Sequence, residues 1–311
     1  MSVAGFTERL TVLRSAMQTL PDKPEETPEA TLRALWCLAA GRPISAEAAS
    51  HLADDALPVL DAAQDAQLGA LTAQRLAGIP LAHLTGRQTF MGMEMLAGPQ
   101  ALIPRRETEL LARAALVHLR AMAQPRVIDV CTGSGNLALA MAQGVPTARV
   151  WGADLSPEAV ALAEANARHL GLSERVQWRC GDLLAPFDAS KANAAHGAHH
   201  GDSADFLGRT DLLLCNPPYI SSGKLDSMPA EIVQHEPSLA FDGGPFGIRI
   251  LQRLMKDAPR FLRPGGWLGL EVGLGQGPAV QQWLARTGQF GTPQAVPDDH
   301  GQVRSLLAQR L

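Results

Sequence analysis

From residue 126 onward, short apolar runs alternate with helical periods, and this alternation is the strongest restriction on the fold. Val127-Ile128-Asp129-Val130, Val150-Trp151-Gly152-Ala153, Val176-Gln177-Trp178, Leu212-Leu213-Leu214-Cys215 and residues 267–272 each have the length of a buried strand. Helical stretches fall between them, at residues 137–141, 157–170 and 248–262. Strands that are apolar throughout, separated by helices, build a parallel sheet covered on both faces. The expectation is an α/β fold, with residues 294–296 and 303–307 forming a closing hairpin.

The first 78 residues have a different rhythm. Leu10, Leu13, Met17 and Leu20 recur at helical spacing, as do Leu32, Leu35, Trp36 and Leu38, and then Leu57, Leu60, Leu68, Leu71 and Leu76. Thr27 precedes Pro28, and Ser45 opens the next segment; both suit helix N-caps. A small helical bundle is expected over residues 1–78. Residues 79–104, punctuated by Gly86, Gly92, Gly98 and Pro99, read as a hairpin or linker, and 105–311 as the second domain. Residues 189–210 are rich in small residues and hold His196, His199 and His200; they read as a mobile surface insertion rather than a metal site.

Composition excludes several classes. With 46% apolar and 19% charged residues, the 311-residue chain has enough apolar content for a sizeable core. No apolar run approaches the roughly 18 residues of a membrane span, and the start lacks a signal-peptide layout. The net charge of −4 arises in residues 1–80, with 6 basic against 10 acidic side chains; residues 81–311 balance at 21 and 21. A protein that grips duplex phosphates shows a basic excess, so no direct nucleic-acid partner is expected. Cys37, Cys131, Cys180 and Cys215 form no close pair, which argues against a zinc or disulfide framework and fits a reducing cytoplasm.

Three motifs carry chemistry. Cys131-Thr132-Gly133-Ser134-Gly135-Asn136 follows a strand and opens a helix, so its glycines permit a tight turn and its amides can face a ligand. Asp154 ends the next strand, where a carboxylate accepts from ribose hydroxyls; the bland alternative is a helix cap before Pro157. These two signals indicate a nucleoside cofactor without separating NAD from S-adenosylmethionine. Asn216-Pro217-Pro218-Tyr219 separates them. The Asn216 side chain and the Pro217 carbonyl offer two acceptors to a planar NH2 group, and Tyr219 adds an aromatic face. Holding both N–H bonds leaves the nitrogen lone pair aimed at an electrophilic methyl group.

These residues resemble the HemK family of class I S-adenosyl-L-methionine-dependent methyltransferases, which modify protein glutamine at its amide nitrogen. The similarity extends through residues 80–86, 103–109, Asn166, Gly181-Asp182, Ile220 and His235-Glu236-Pro237. It implies a Rossmann-like, seven-stranded, mostly parallel sheet with a final antiparallel strand behind an N-terminal helical domain, which by its size and position is expected to recognise substrate. It implies that Cys131, Thr132, Gly133, Ser134 and Gly135 contact the cofactor with Asn216, that Asp154 takes the ribose, and that Asp182 and Leu183 lie beside the adenine. Asn216, Pro217, Pro218 and Tyr219 would hold the glutamine. Residues 104–109 are similar to the peptide chain release factor enzymes, with Arg106 where a proline is common. Residues 129–135 and 228–237 look more like the branch that modifies a ribosomal protein. The partner is expected to be a release factor, with a ribosomal protein as the alternative and adenine N6 methylation a more distant one. Arg105, Glu107, Glu109, His235 and Glu271 are left without an assigned role.

Overall fold

The computed structural model describes residues 3–188 and 205–311. His196, His199, His200 and most of the expected insertion therefore lie outside the described residues. The chain divides into two compact units, one of Met1–Arg106 with Met228–Pro237, the other of Glu107–Ser227 with Ser238–Leu311.

The first unit holds helices α1 (Val3–Ala16), α2 (Pro28–Ala39), α3 (Ala46–Ser50), α4 (Ala62–Leu76) and α5 (Leu81–Thr85), strands β1 (Arg87–Phe90) and β2 (Met93–Leu96), and later helix α9 (Ala230–His235). Thr27 and Ser45 cap α2 and α3, accepting from the amides of Ala30 and Ala48. Two stretches depart from the periodicity. Met17 and Leu20 lie beyond α1, and Leu57 and Leu60 lie before α4. The start of α4 is set by Asp61, which forms a reciprocal capping box with Gln64. Leu13, Leu32, Leu35, Trp36, Leu68 and Leu81 form the core of this unit. The expected hairpin is β1–β2, turning at Met91 and Gly92, both with positive φ (51° and 75°).

The first unit is not confined to residues 1–78. It runs on to Arg106 and takes in Met228–Pro237, so the chain leaves the second unit and returns to it within that segment. Buried ion pairs hold the segment. Lys23 Nζ lies 2.7 Å from Glu231, which also accepts from Arg75 at 2.8 Å. Arg75 reaches Glu26 at 3.0 Å, and Arg105 reaches Glu236 at 2.5 Å and Asp22 at 2.9 Å.

The second unit holds α6 (Arg106–Leu119), β3 (Arg126–Val130), α7 (Asn136–Gly144), β4 (Arg149–Asp154), α8 (Pro157–His169), β5 (Val176–Cys180), β6 (Thr210–Cys215), α10 (Arg249–Phe261), β7 (Leu262–Glu271), α11 (Gly277–Arg286), β8 (Gln294–Pro297) and β9 (Val303–Gln309). The seven strands lie in the order β5-β4-β3-β6-β7-β9-β8. All pairings are parallel except those of β9, which runs antiparallel to β7 and β8. Ile128, Val130, Trp151, Leu213, Leu268 and Leu270 are buried in the core against one face of the sheet. Strand order reverses between β3 and β6, and ligands of open α/β sheets bind in the crevice at such a reversal.

Candidate active site

The crevice is built from the loops that leave β3, β4 and β6. After β3 the backbone enters the left-handed region at Cys131 (57°), Gly133 (56°) and Gly135 (86°). The Thr132 amide donates to the Ala153 carbonyl (3.0 Å), tying this turn to β4. Beneath it lies Asp129, fully buried. One of its oxygens accepts from the Thr132 hydroxyl at 2.5 Å and from the Ala138 amide at 3.2 Å. Burial nevertheless pushes its carboxyl up to about 7. Asn166, buried on α8, donates to the Ser134 carbonyl at 3.0 Å and fixes the turn from behind.

Gly135 has two constraints. Its φ is left-handed, and a Cβ there would stand 2.6 Å from the Trp178 ring and 3.1 Å from Ala163 Cβ. The space is taken by helix–sheet packing, a different use of the glycine from close ligand approach. Gly135→Ala is expected to force the turn and Trp178 apart and weaken cofactor binding roughly 10-fold or more, the counterpart of about 1–3 kcal/mol of overpacking. Isothermal titration with the cofactor measures it, and an unchanged Kd would contradict it.

Asp154 stands at the end of β4. Its oxygens accept from the amides of Gly133 (2.9 Å) and Ser156 (3.0 Å). The cap of α8 is Ser156, whose side chain accepts from the Ala159 amide, so Asp154 is not committed to capping. Each carboxylate oxygen keeps a further lone-pair direction for a hydroxyl. Ser134 Oγ is buried without a partner beside this turn. A carboxylate, a left-handed glycine turn and an unpartnered hydroxyl fit the ribose and polar end of a nucleoside cofactor. Leu183 is buried with a left-handed backbone (48°). Asp182 is half-exposed and pairs with Arg253 at 2.5 Å, a partner the sequence did not indicate.

Asn216 follows β6 directly. Its Nδ2 donates to Thr108 Oγ1 at 3.1 Å, which leaves Oδ1 as its free acceptor. Pro217 is buried, and Pro218 and Tyr219 are partly buried. The Tyr219 hydroxyl donates to Glu271 Oε1 at 3.2 Å. Three features hold this loop that sequence reasoning missed. The Gln276 amide donates to the carbonyls of Tyr219 (3.0 Å) and Gly247 (3.2 Å). A Cβ on Gly243 would meet the Pro218 carbonyl at 2.7 Å, and one on Gly247 would meet the Tyr219 carbonyl. Thr108 contacts Asn216 itself. The repeated glycines of residues 241–247 were the available signal, since close backbone approach demands glycine. Of the residues without an assigned role, Glu107 pairs with Arg304 (3.3 Å) and Glu109 with Arg113 (2.5 Å).

A family model described as a methyltransferase domain matches residues 127–206. The release factor glutamine methyltransferase of Moorella thermoacetica is 40% identical over 237 residues, which is 76% of this chain and 77% of that protein. That of Gloeobacter violaceus is 37% identical over 242 residues, covering 78% of each chain. This chain belongs to the release factor glutamine methyltransferase family. Its fold is also that of the hMettl16 catalytic domain solved with MAT2A 3'UTR hairpin 1, at a TM-score of 0.53 and 15% identity over 76% of this chain and 80% of that one. The expected class I architecture is the observed one, and S-adenosyl-L-methionine is the cofactor of this family. Among the described residues no helix is long and apolar enough to cross a membrane.

Proposed function

We propose that this chain methylates the side-chain amide nitrogen of a glutamine in a peptide chain release factor, within its Gly-Gly-Gln loop, in the cytoplasm. The observation that carries the reading is the orientation of Asn216. With Nδ2 engaged by Thr108, Oδ1 is left to accept one N–H of an incoming carboxamide. The Pro217 carbonyl takes the other. Bound S-adenosyl-L-methionine supplies an electrophilic methyl group.

An amide nitrogen is a weak nucleophile because its lone pair is delocalised. Two acceptors that hold both N–H bonds favour a pyramidal nitrogen and set its line of approach, so positioning and fixed dipoles do most of the work. The methylated nitrogen becomes acidic as charge develops, and no general base is assigned. Cys131, Thr132, Gly133, Ser134, Gly135, Asp154, Asp182, Leu183 and Asn216 are assigned to the cofactor, and Asn216, Pro217, Pro218 and Tyr219 to the glutamine. Residues 1–78 are assigned recognition of the protein partner.

Incubation with cofactor and unmethylated release factor, then mass spectrometry of the digest, tests the reading. One added methyl group on the loop glutamine is the expected result. Its absence, in protein that binds cofactor, would overturn the assignment and point to a ribosomal protein.

A further inference from the structure

We propose that Phe246 and Leu274, at the tips of two β-turns beside Tyr219, form an apolar contact that takes an apolar side chain of the protein substrate close in sequence to the glutamine. The inference rests on the glutamine reading above and extends it to the residues around the target. Phe246 is 80% exposed and Leu274 65% exposed. Single exposed apolar side chains are ordinary on a protein surface. What sets these two apart is the backbone beneath them.

Gly244, Pro245, Phe246 and Gly247 form a β-turn closed by the Gly247 amide on the Gly244 carbonyl at 3.0 Å. Pro245 fixes its second position and Phe246 stands at the third. Gly273, Leu274, Gly275 and Gln276 form another, closed by the Gln276 amide on the Gly273 carbonyl at 3.0 Å, with Gly275 left-handed (80°) at its third position. One side chain joins the two turns. Gln276 Nε2 donates to the Gly247 carbonyl (3.2 Å) and the Tyr219 carbonyl (3.0 Å), while its Oε1 accepts from the Gly273 amide (2.9 Å). Ile220 pairs with the same stretch: its amide donates to the Phe241 carbonyl (2.9 Å) and its carbonyl accepts from the Gly243 amide (2.8 Å). A Cβ on Gly273 would stand 3.0 Å from Tyr219 Cδ2, so this turn also lies against the tyrosine ring.

The reaction decides the occupant. A glutamine amide held by Asn216 and the Pro217 carbonyl brings with it the main chain on either side. That chain must pass over whatever flanks residues 217–219, and the two turns flank them. Held by proline, glycine and Gln276, the turn tips lose little backbone freedom on binding, so covering them adds affinity at small entropic cost. The partner chemistry that fits is an apolar side chain.

The test is kinetic. Phe246→Ser should raise the KM for unmethylated release factor roughly 10-fold and Leu274→Ser roughly 3- to 10-fold, as expected for apolar area covered only in the complex. The effect belongs in KM, with kcat at saturation within about 3-fold, because the contact is made equally before and during methyl transfer. Val117→Ser, at a 70% exposed position on α6, should leave KM where it was. Gln276→Ala should lower kcat as well as raise KM, since it also releases the Tyr219 carbonyl. Phe246→benzoylphenylalanine, irradiated with release factor, should crosslink to residues close in sequence to the target glutamine. An unmoved KM in Phe246→Ser, or crosslinks only to remote parts of the substrate, would overturn the proposal while glutamine methylation stands. Absence of methyl on glutamine in wild type that binds cofactor would overturn the substrate reading, and the proposal with it.

Discussion

Replacing Asn216 with alanine should lower kcat on the protein substrate roughly 100- to 1,000-fold, the usual loss when one preorganised hydrogen-bonding group is removed from a reacting centre. Cofactor affinity should stay within a few-fold of wild type. The asymmetry follows from the site. Of the groups assigned to the cofactor, the turn after β3 and Asp154 at the end of β4 make no hydrogen bond to Asn216. Thr108 does, and it loses only the NH2 that it accepts. Single-turnover kinetics beside equilibrium cofactor titration would measure the split. Equal losses in both would remove Asn216 from its assigned role.

Replacing Arg105 with alanine should destabilise the folded chain by about 3–5 kcal/mol, the range found when one member of a buried ion pair is deleted. The Glu236 side chain is fully buried, and its two oxygens accept from Arg105 at 2.5 Å and from the Ile103 amide at 2.9 Å. Without Arg105 the nearest cation is Lys23, 3.9 Å away and already engaged by Glu231 at 2.7 Å. Arg105 also donates to the Ile103 carbonyl at 2.9 Å, so one substitution strips both ends of the same clamp. Urea unfolding followed by tryptophan fluorescence would report it. Adding Glu236→Gln to Arg105→Ala should recover part of the loss, because the uncompensated charge is then gone. A loss under about 1 kcal/mol, ordinary for an exposed pair, would contradict this account.

The parts of the fold that were legible are those written in neighbouring residues. Apolar runs such as Leu212-Leu213-Leu214-Cys215 announce strands because a sheet covered on both faces needs every side chain apolar. Thr27-Pro28 and Ser45 announce helix starts because capping is a three-residue affair. Asp154 and Asn216 could be placed at one edge of the sheet because the first ends a strand and the second directly follows one, and the reversal of strand order does the rest. Leu57 and Leu60 misled, since helical spacing alone does not reveal the box at Asp61 that starts α4 later. The contacts of Thr108, Glu271 and Gln276 could not be found this way. Their partners lie 108, 52 and 57 residues away, and nothing local marks a carboxylate at the end of β7 as buried. The same distance hid the membership of Met228–Pro237 in the first unit.

That membership bears on synthesis as well as on stability. Lys23 meets Glu231 across 208 residues of chain, and Arg75 meets the same carboxylate across 156. A ribosome adds about 5–20 residues per second, so Lys23 waits roughly 10–40 s for its counter-ion. During that interval Lys23 and Arg75 can turn to water or to Glu26, and the nascent bundle must remain open enough to admit a ten-residue guest. The last seal of the first-made unit is therefore delivered by a segment translated after β6, which couples completion of the N-terminal unit to emergence of residues 216–219.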